Sequence, residues 1–196
     1  MQPSVDFHTH VLPGIDDGSR SVSMTEAMLE SEADQGIQTV IATPHFYADR
    51  NKVSHLLEKR ERAFGEVRKL GAEKDGLPCV IQAAEVFFFP GIGTADMTAQ
   101  LCAGKSRVLF LEMPFDQWSG DEYDEIRKLC LRRGFEVVLV HLERFLPFQK
   151  DQEVLRQVLK LPVTLQINAG CLLKFMSRRR AKKILSFGKP VVLGSD

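Results

Sequence analysis

Cysteine chemistry is the first thing this sequence withholds. Its four cysteines, Cys79, Cys102, Cys130 and Cys171, lie far apart and form no Cys-x-x-Cys pair, which excludes a zinc ribbon and a dithiol redox motif. None begins the Cys-x5-Arg loop of a catalytic thiolate; Cys102 and Arg107 miss it by one residue. Their mostly apolar neighbours predict buried, reduced thiols, and a cytoplasmic protein follows. An excess of charge of one sign is also missing. The 26 basic and 26 acidic residues cancel, so bulk electrostatics recruits no nucleic acid. No apolar run nears the roughly 20 residues of a membrane span, so no membrane insertion is expected. The opening Met1-Gln2-Pro3-Ser4-Val5-Asp6 has neither the basic nor the apolar region of a signal peptide. Linkers, low-complexity tracts and internal repeats are absent as well. The 196 residues, 44% of them apolar, are read as a single domain, 1–196, long enough to bury a sizeable core.

What is present is a rhythm. Short β-branched or apolar runs recur at 5–7, 39–42, 79–83, 108–111, 137–140, 163–167 and 191–193. Each is too short for a helix and reads as a strand covered on both faces. Amphipathic stretches separate them. Ser23-Met-Thr-Glu26 has the form of a capping box opening a helix with Met24, Met28 and Leu29 on one side, which Gly36 can end. Val53, Leu56, Leu57, Phe64 and Val67 carry helical spacing before Gly71. Tyr123, Ile126, Leu129 and Cys130 do so before Gly134. Asp151 and Ser177 are candidate caps for two later helices, and 91–103 reads as a loop with a short helix in it. Alternation of this kind predicts an α/β protein with a parallel sheet, either doubly wound or closed into a barrel. The turn after the first strand, Leu12-Pro13-Gly14-Ile15-Asp16-Asp17-Gly18, is acidic where a doubly wound sheet would normally carry a Gly-rich phosphate loop.

The polar residues fall where the strands end. His8 and His10 follow the first run, His45 the second, Glu85 the third, Glu112 the fourth, His141 the fifth, Asn168 the sixth and Asp196 the last. In an α/β barrel the carboxyl ends of the strands form one face, and that face carries the chemistry. His8 and His10, two apart on a strand, point to the same side. The fifth histidine, His55, falls on a helix and is expected in solvent. Imidazoles and carboxylates without thiolates form a mixed N/O donor set, suited to Mn, Fe or Zn. Glu85 and Glu112 would repel each other if buried together without a cation. The donors are too many for one ion, so two or three divalent metal ions are expected.

With these residues assembled, the sequence resembles the PHP (polymerase and histidinol phosphatase) superfamily, and within it the bacterial tyrosine-protein phosphatases of capsular and exopolysaccharide operons. The carrying motifs are Asp6-Phe-His-Thr-His10, Asp16-Asp-Gly-Ser19, Ala42-Thr-Pro-His45, Ala84-Glu85, Leu111-Glu112, Val140-His-Leu-Glu-Arg144, Gln166-Ile-Asn168 and Leu193-Gly-Ser-Asp196. The resemblance implies a distorted (β/α)7 barrel of the PHP type with a trinuclear metal centre. It implies that His8, His10 and Asp196 bind the first metal, that Glu85 bridges the first and second, and that Glu112 and His141 complete the second. Asp17 and His45 would bind the third, and Arg144 would contact the substrate phosphate. The family pattern continues beyond Asp196 through a histidine two residues later, an arginine and a last helix. The expectation is therefore a barrel lacking its usual C-terminal portion, with the third metal position the emptiest.

The implied activity is hydrolysis of phosphotyrosine by a metal-activated hydroxide. The implied substrate is a phosphotyrosine-bearing protein, such as a bacterial tyrosine autokinase regulating capsular or exopolysaccharide biosynthesis. Two alternatives stand beside it: a PHP phosphatase of a small phosphate monoester such as histidinol phosphate, and a catalytically impaired PHP module. The aromatics of Val86-Phe-Phe-Phe-Pro90 and Met113-Pro-Phe115 are either core or an apolar rim that accepts a tyrosine ring. Ser177-Arg-Arg-Arg-Ala-Lys-Lys183 reads first as the solvated face of a helix, with an acidic partner or a subunit contact as the other option.

Overall fold

The computed structural model describes residues 4–196, with Met1, Gln2 and Pro3, part of the opening segment considered above, outside the described residues. All seven expected runs are strands: β1 (Ser4–Thr9), β2 (Ile37–Ala42), β4 (Cys79–Gln82), β6 (Val108–Glu112), β7 (Glu136–Leu139), β8 (Thr164–Asn168) and β9 (Val191–Gly194). Two short strands were not foreseen, β3 (His45–Phe46) and β5 (Glu85–Phe87). Every pairing is parallel. One sheet runs β1-β2-β4 and the other β3-β5-β6-β7-β8-β9.

The division into two sheets has a local cause. The chain of β2 continues into β3 across Thr43-Pro44, and that of β4 into β5 across Ala83-Ala84. Pro44 has no N–H to give a ladder. Hydrogen bonds from Ala83 N to Ala42 O (2.8 Å) and Glu85 N to Pro44 O (3.0 Å) carry the two strands across the break. At the other margin Asp196 N donates to His8 O at 2.8 Å, which sets the residues after β9 against β1.

Burial follows the two-residue period of the strands. On β6 and β7, Leu109, Leu111, Val137 and Leu139 face a core shared with the later helices. Phe110, Val138 and Val140 face the opposite way, into a cluster with Ile41, Ala83 and Ala103 that draws on both sheets. With both faces buried, the strands read as continuous apolar runs. A third cluster packs Leu29 of α1 (Val22–Asp34) and Ala63, Val67 and Leu70 of α2 (Val53–Glu73) on Val40 and Ala42.

The remaining helices are α3 (Gly120–Arg127), α4 (Leu142–Phe145), α5 (Glu153–Val158) and α6 (Phe175–Leu185), with a π turn over Lys128–Arg132 and a 3-10 turn over Asp96–Leu101. Several boundaries differ from expectation. The cap of α1 is Ser21, whose side chain accepts from Met24 N, not Ser23. Met24 lines an open cleft instead of the core. Helix α2 passes through Gly71 to Glu73, and the chain turns at Gly76 with φ +84°. Helix α6 starts before Ser177, whose hydroxyl donates to Cys171 O. Asp151 Oδ1 does accept from Glu153 N, at the start of α5. Three cysteines are buried, but Cys79 is exposed because it opens β4 at the edge of the interior. His55 is exposed on α2, as expected. Among the described residues no helix is long and apolar enough to cross a membrane.

Candidate metal centre

β1 delivers two imidazoles to one point. His8 and His10 are buried, and their Nε2 atoms lie 3.2 Å apart. The acidic turn then folds back over them. Ser19 N donates to His10 O at 2.9 Å, and Asp16 Oδ2 meets His10 Nδ1 at 2.7 Å while accepting from His45 N at 3.1 Å. Gly18 permits this closure, because a Cβ there would lie 2.3 Å from His10 Cβ and 2.4 Å from His10 O. Gly194 does the same beside His8, where an added Cβ would come within 2.5 Å of His8 Cβ and 2.7 Å of Gln166 Nε2.

Glu85, fully buried at the start of β5, is the centre of the cluster. Its Oε1 lies 2.6 Å from His141 Nε2. Its Oε2 has His45 Nδ1 at 2.9 Å and His8 and His10 Nε2 at 3.4 Å each. None of these three contacts has hydrogen-bond geometry, and Oε2 is left without a partner. Four groups of donors lie within 4.8 Å of one another: His8 with Glu85 and His141; His8 with His10 and Asp196; His10 with Asp17 and His45; and His45 with Glu85 and Glu112. All eight residues expected as metal donors are thus brought together. The grouping differs in detail from that implied by the resemblance, since Glu112 also falls with His45, although its Oε1 is 3.7 Å from His141 Nε2.

The electrostatics of the cluster are those of mutually dependent charges. Burial works against a charged Glu85, yet the four imidazoles crowded around it, those of His10, His141, His45 and His8, hold its carboxyl far below the usual range. Burial likewise opposes charge on His10, but Asp16, Asp196 and Glu85 outweigh it and push the imidazole up to about 12. Glu112 is raised to about 7 by burial and then by the charge of Glu85. Burial pushes His141 down. A carboxylate oxygen facing three imidazole nitrogens with no usable proton geometry fits a divalent cation between them.

Two residues reach this place through strained backbone. His141 (φ 31°) and Asp196 (φ 57°) are the non-glycine residues with positive φ among those described. Such a conformation costs on the order of 1–3 kcal/mol and gathers at functional sites. His141 N donates to Gln166 Oε1 at 2.5 Å, Gln166 Nε2 to Asn168 Oδ1 at 3.0 Å, and Asn168 Nδ2 to Asp196 Oδ2 at 2.5 Å. This relay on β8 fixes both strained residues. Asp6 Oδ1 accepts from His8 N and Ser195 N, each at 3.0 Å, and ties the two edge segments together.

A cleft of about 920 Å³ opens over the cluster, bordered by His10, Asp17, His45, Glu112 and Asp196. Arg144, on α4, reaches its mouth with Nη1 3.4 Å from Asp196 Oδ2 and Cζ 5.5 Å from the Phe115 ring centroid. The expected aromatic segments divide. Phe88 is core, whereas Phe115 lines the cleft with Tyr47, which stacks beside Phe87 at 5.6 Å. The sequence reading leaves out Tyr47, and it quotes Asp16 and Gln166 within motifs without assigning them the contacts to His10 and His141 seen here. Each sits one or two residues from a singled-out position, which was the available signal.

Similar proteins carry the same architecture. The tyrosine-protein phosphatase CpsB of Streptococcus pneumoniae is 23% identical over 98% of this chain and 82% of its own length. The tyrosine-protein phosphatase YwqE of Bacillus subtilis is 25% identical over 86% of this chain and 65% of its own. A solved structure from work on YwqE and CpsB, described there as unique metal-dependent tyrosine phosphatases, superposes with a TM-score of 0.81 at 22% identity, covering 98% of this chain and 78% of that one. The family model for capsular polysaccharide synthesis, CpsB/CapC, matches residues 4–190, and the chain belongs to that family.

Proposed function

We propose that this chain is a metal-dependent protein-tyrosine phosphatase acting in capsular or exopolysaccharide synthesis. The observation that carries the reading is Glu85 Oε2, buried, unpartnered and faced by three imidazoles beneath an open cleft with an arginine at its mouth. In this reading His8, His10, Glu85 and Asp196 hold one cation, Glu85, Glu112 and His141 a second, and Asp17 and His45 contribute to a third. The mixed N/O set suits manganese, with iron or zinc as alternatives. Such cations, when bound, supply Lewis acidity toward phosphoryl oxygens and bring the pKa of a coordinated water toward neutrality.

The chain's own residues do the rest. Arg144 presents a guanidinium fork to the phosphoryl oxygens, held from behind by Asp196 and steadied over Phe115. Phe115 and Tyr47 offer apolar walls to a tyrosine ring. Buried thiols take no part. Burial pushes Cys102, Cys130 and Cys171 each up to about 11, away from the thiolate. The parallel strands, the interior cluster shared by both sheets and the Asp196–His8 hydrogen bond support a PHP-type distorted barrel as one domain. A cytoplasmic tyrosine autokinase is the substrate this reading favours.

The test compares a phosphotyrosine peptide with histidinol phosphate, using chelated and Mn-reloaded protein. Turnover of the peptide should vanish on chelation, return with Mn, and survive alkylation of the cysteines. Chelator-resistant, alkylation-sensitive turnover, or a preference for histidinol phosphate, overturns the proposal.

A further inference from the structure

Helix α6 carries Arg178, Arg179, Arg180, Lys182 and Lys183 and no acidic residue, in a chain whose 26 basic and 26 acidic residues balance only when these five are included. Like charges three and four apart on a helix repel, so this arrangement works against the helix unless an anion relieves it. Ala181 and Ile184 are buried against the core and fix which way the helix faces. Arg179, Arg180 and Lys183 fall on one outward strip by the three- and four-residue rule. Together with Leu146 and Pro147 they line a shallow groove of about 460 Å³.

Among the described residues none of the three cations pairs with a carboxylate. Lys183 Nζ makes one contact, to Gln152 Oε1 at 3.2 Å. The opposite wall of the groove is the turn directly after α4, two residues beyond Arg144, so one short segment borders both this groove and the mouth of the main cleft. At the start of α6, Leu173 and Phe175 are 81% and 75% exposed, an apolar edge beside the cations.

We propose that this groove is a second anion subsite, which takes a carboxylate- or phosphate-bearing stretch of the same protein substrate whose phosphotyrosine enters the main cleft. The proposal rests on the phosphatase reading for the identity of that substrate. The groove and the main cleft share no lining residue, so on this proposal the groove discriminates among peptides and not among small phosphate esters. Charges at such a rim act chiefly on encounter rate and salt dependence.

The experiment uses the whole chain and the variant R179A/R180A/K183A, with K59A/R62A/K105A as a control that removes three charges elsewhere. KM and kcat are measured for three Mn-dependent substrates: a phosphotyrosine peptide with neutral flanks, one with glutamate flanks, and one with a second phosphate. Removing the groove cations should raise KM about tenfold for both anionic peptides, leave kcat and the neutral peptide unchanged, and flatten the salt dependence. The control variant should behave as the parent. Binding of a fluorescein-labelled, unphosphorylated glutamate-rich peptide is followed by anisotropy in parallel, and should weaken by a similar factor in the groove variant alone. That arm reads the groove even if no phosphatase activity is found. Equal losses in both variants, a change confined to kcat, or groove-dependent binding to anionic lipid vesicles with none to the peptides overturns the proposal.

Discussion

Asp16 and Asp17 are chemically identical neighbours with opposite tasks. The Asp16 side chain is 7% exposed and locked between His10 and His45 N, while that of Asp17 is 84% exposed with Oδ1 3.4 Å from His45 Nε2. Asp16 holds the orientation of the His10 ring, the task a carboxylate takes behind a metal-binding imidazole in the proposed centre. Asp16→Asn keeps the shape but removes the charge, and should weaken Mn binding about 10- to 100-fold, measured by competition with a chromogenic chelator. Gly194→Ala offers a steric counterpart. Its Cβ would press on His8 Cβ and Gln166 Nε2, so it should destabilise the fold by about 2 kcal/mol or more in urea denaturation. The residues that gather around Glu85 were legible in the sequence because a histidine or an acid follows six of the seven apolar runs, Asn168 following the other. Which member of an Asp-Asp pair turns inward was not, because that depends on a turn closed by Gly18 against His10, a contact between backbone and side chain that no local pattern encodes.

At the scale of elements, the strands announced themselves as apolar runs because both of their faces are buried. Helix boundaries did so less well. Gly71 resembles a stop, but an interior glycine costs only about 1 kcal/mol, which a 21-residue helix packed through Leu56, Ala63, Val67 and Leu70 absorbs. The short strands β3 and β5 escaped notice because two or three residues carry no period. Their junction with the first sheet is clamped from outside. Arg60 of α2 donates through Nη1 to Ala83 O at 2.8 Å and through Nη2 to Gln100 O at 3.1 Å. A lysine cannot span both acceptors with fixed geometry. Arg60→Lys and Arg60→Ala should each lose roughly 1–3 kcal/mol of stability, with Ala the worse, by chemical denaturation followed by circular dichroism.

For the whole molecule, the proposed metal centre around Glu85 would make folding and cation binding one equilibrium. The donors come from β1, the turn after it, β3, β5, β6 and the segments after β7 and β9, and an unfolded chain cannot gather them. Mn at a hundredfold excess over its Kd should therefore add about 2.7 kcal/mol of stability. For a chain of this size that corresponds to a rise in Tm of about 5–10 °C, reversed by a chelator, in differential scanning calorimetry. Absence of a shift would mean that the donors do not act together.

The hydrogen bond from Asp196 N to His8 O also sets a timetable for the living cell. His8 is synthesised well before its neighbour and meets it only after 188 further residues (196 − 8) have been added. At about 5–20 residues per second, that interval is about 10–40 s. Throughout it, the two histidines of β1 are displayed without the carboxylate that completes their group. Until β9 is made, that imidazole pair is open to whatever cations the surroundings offer, so on the proposed reading the choice of metal would depend on what is present when β9 arrives.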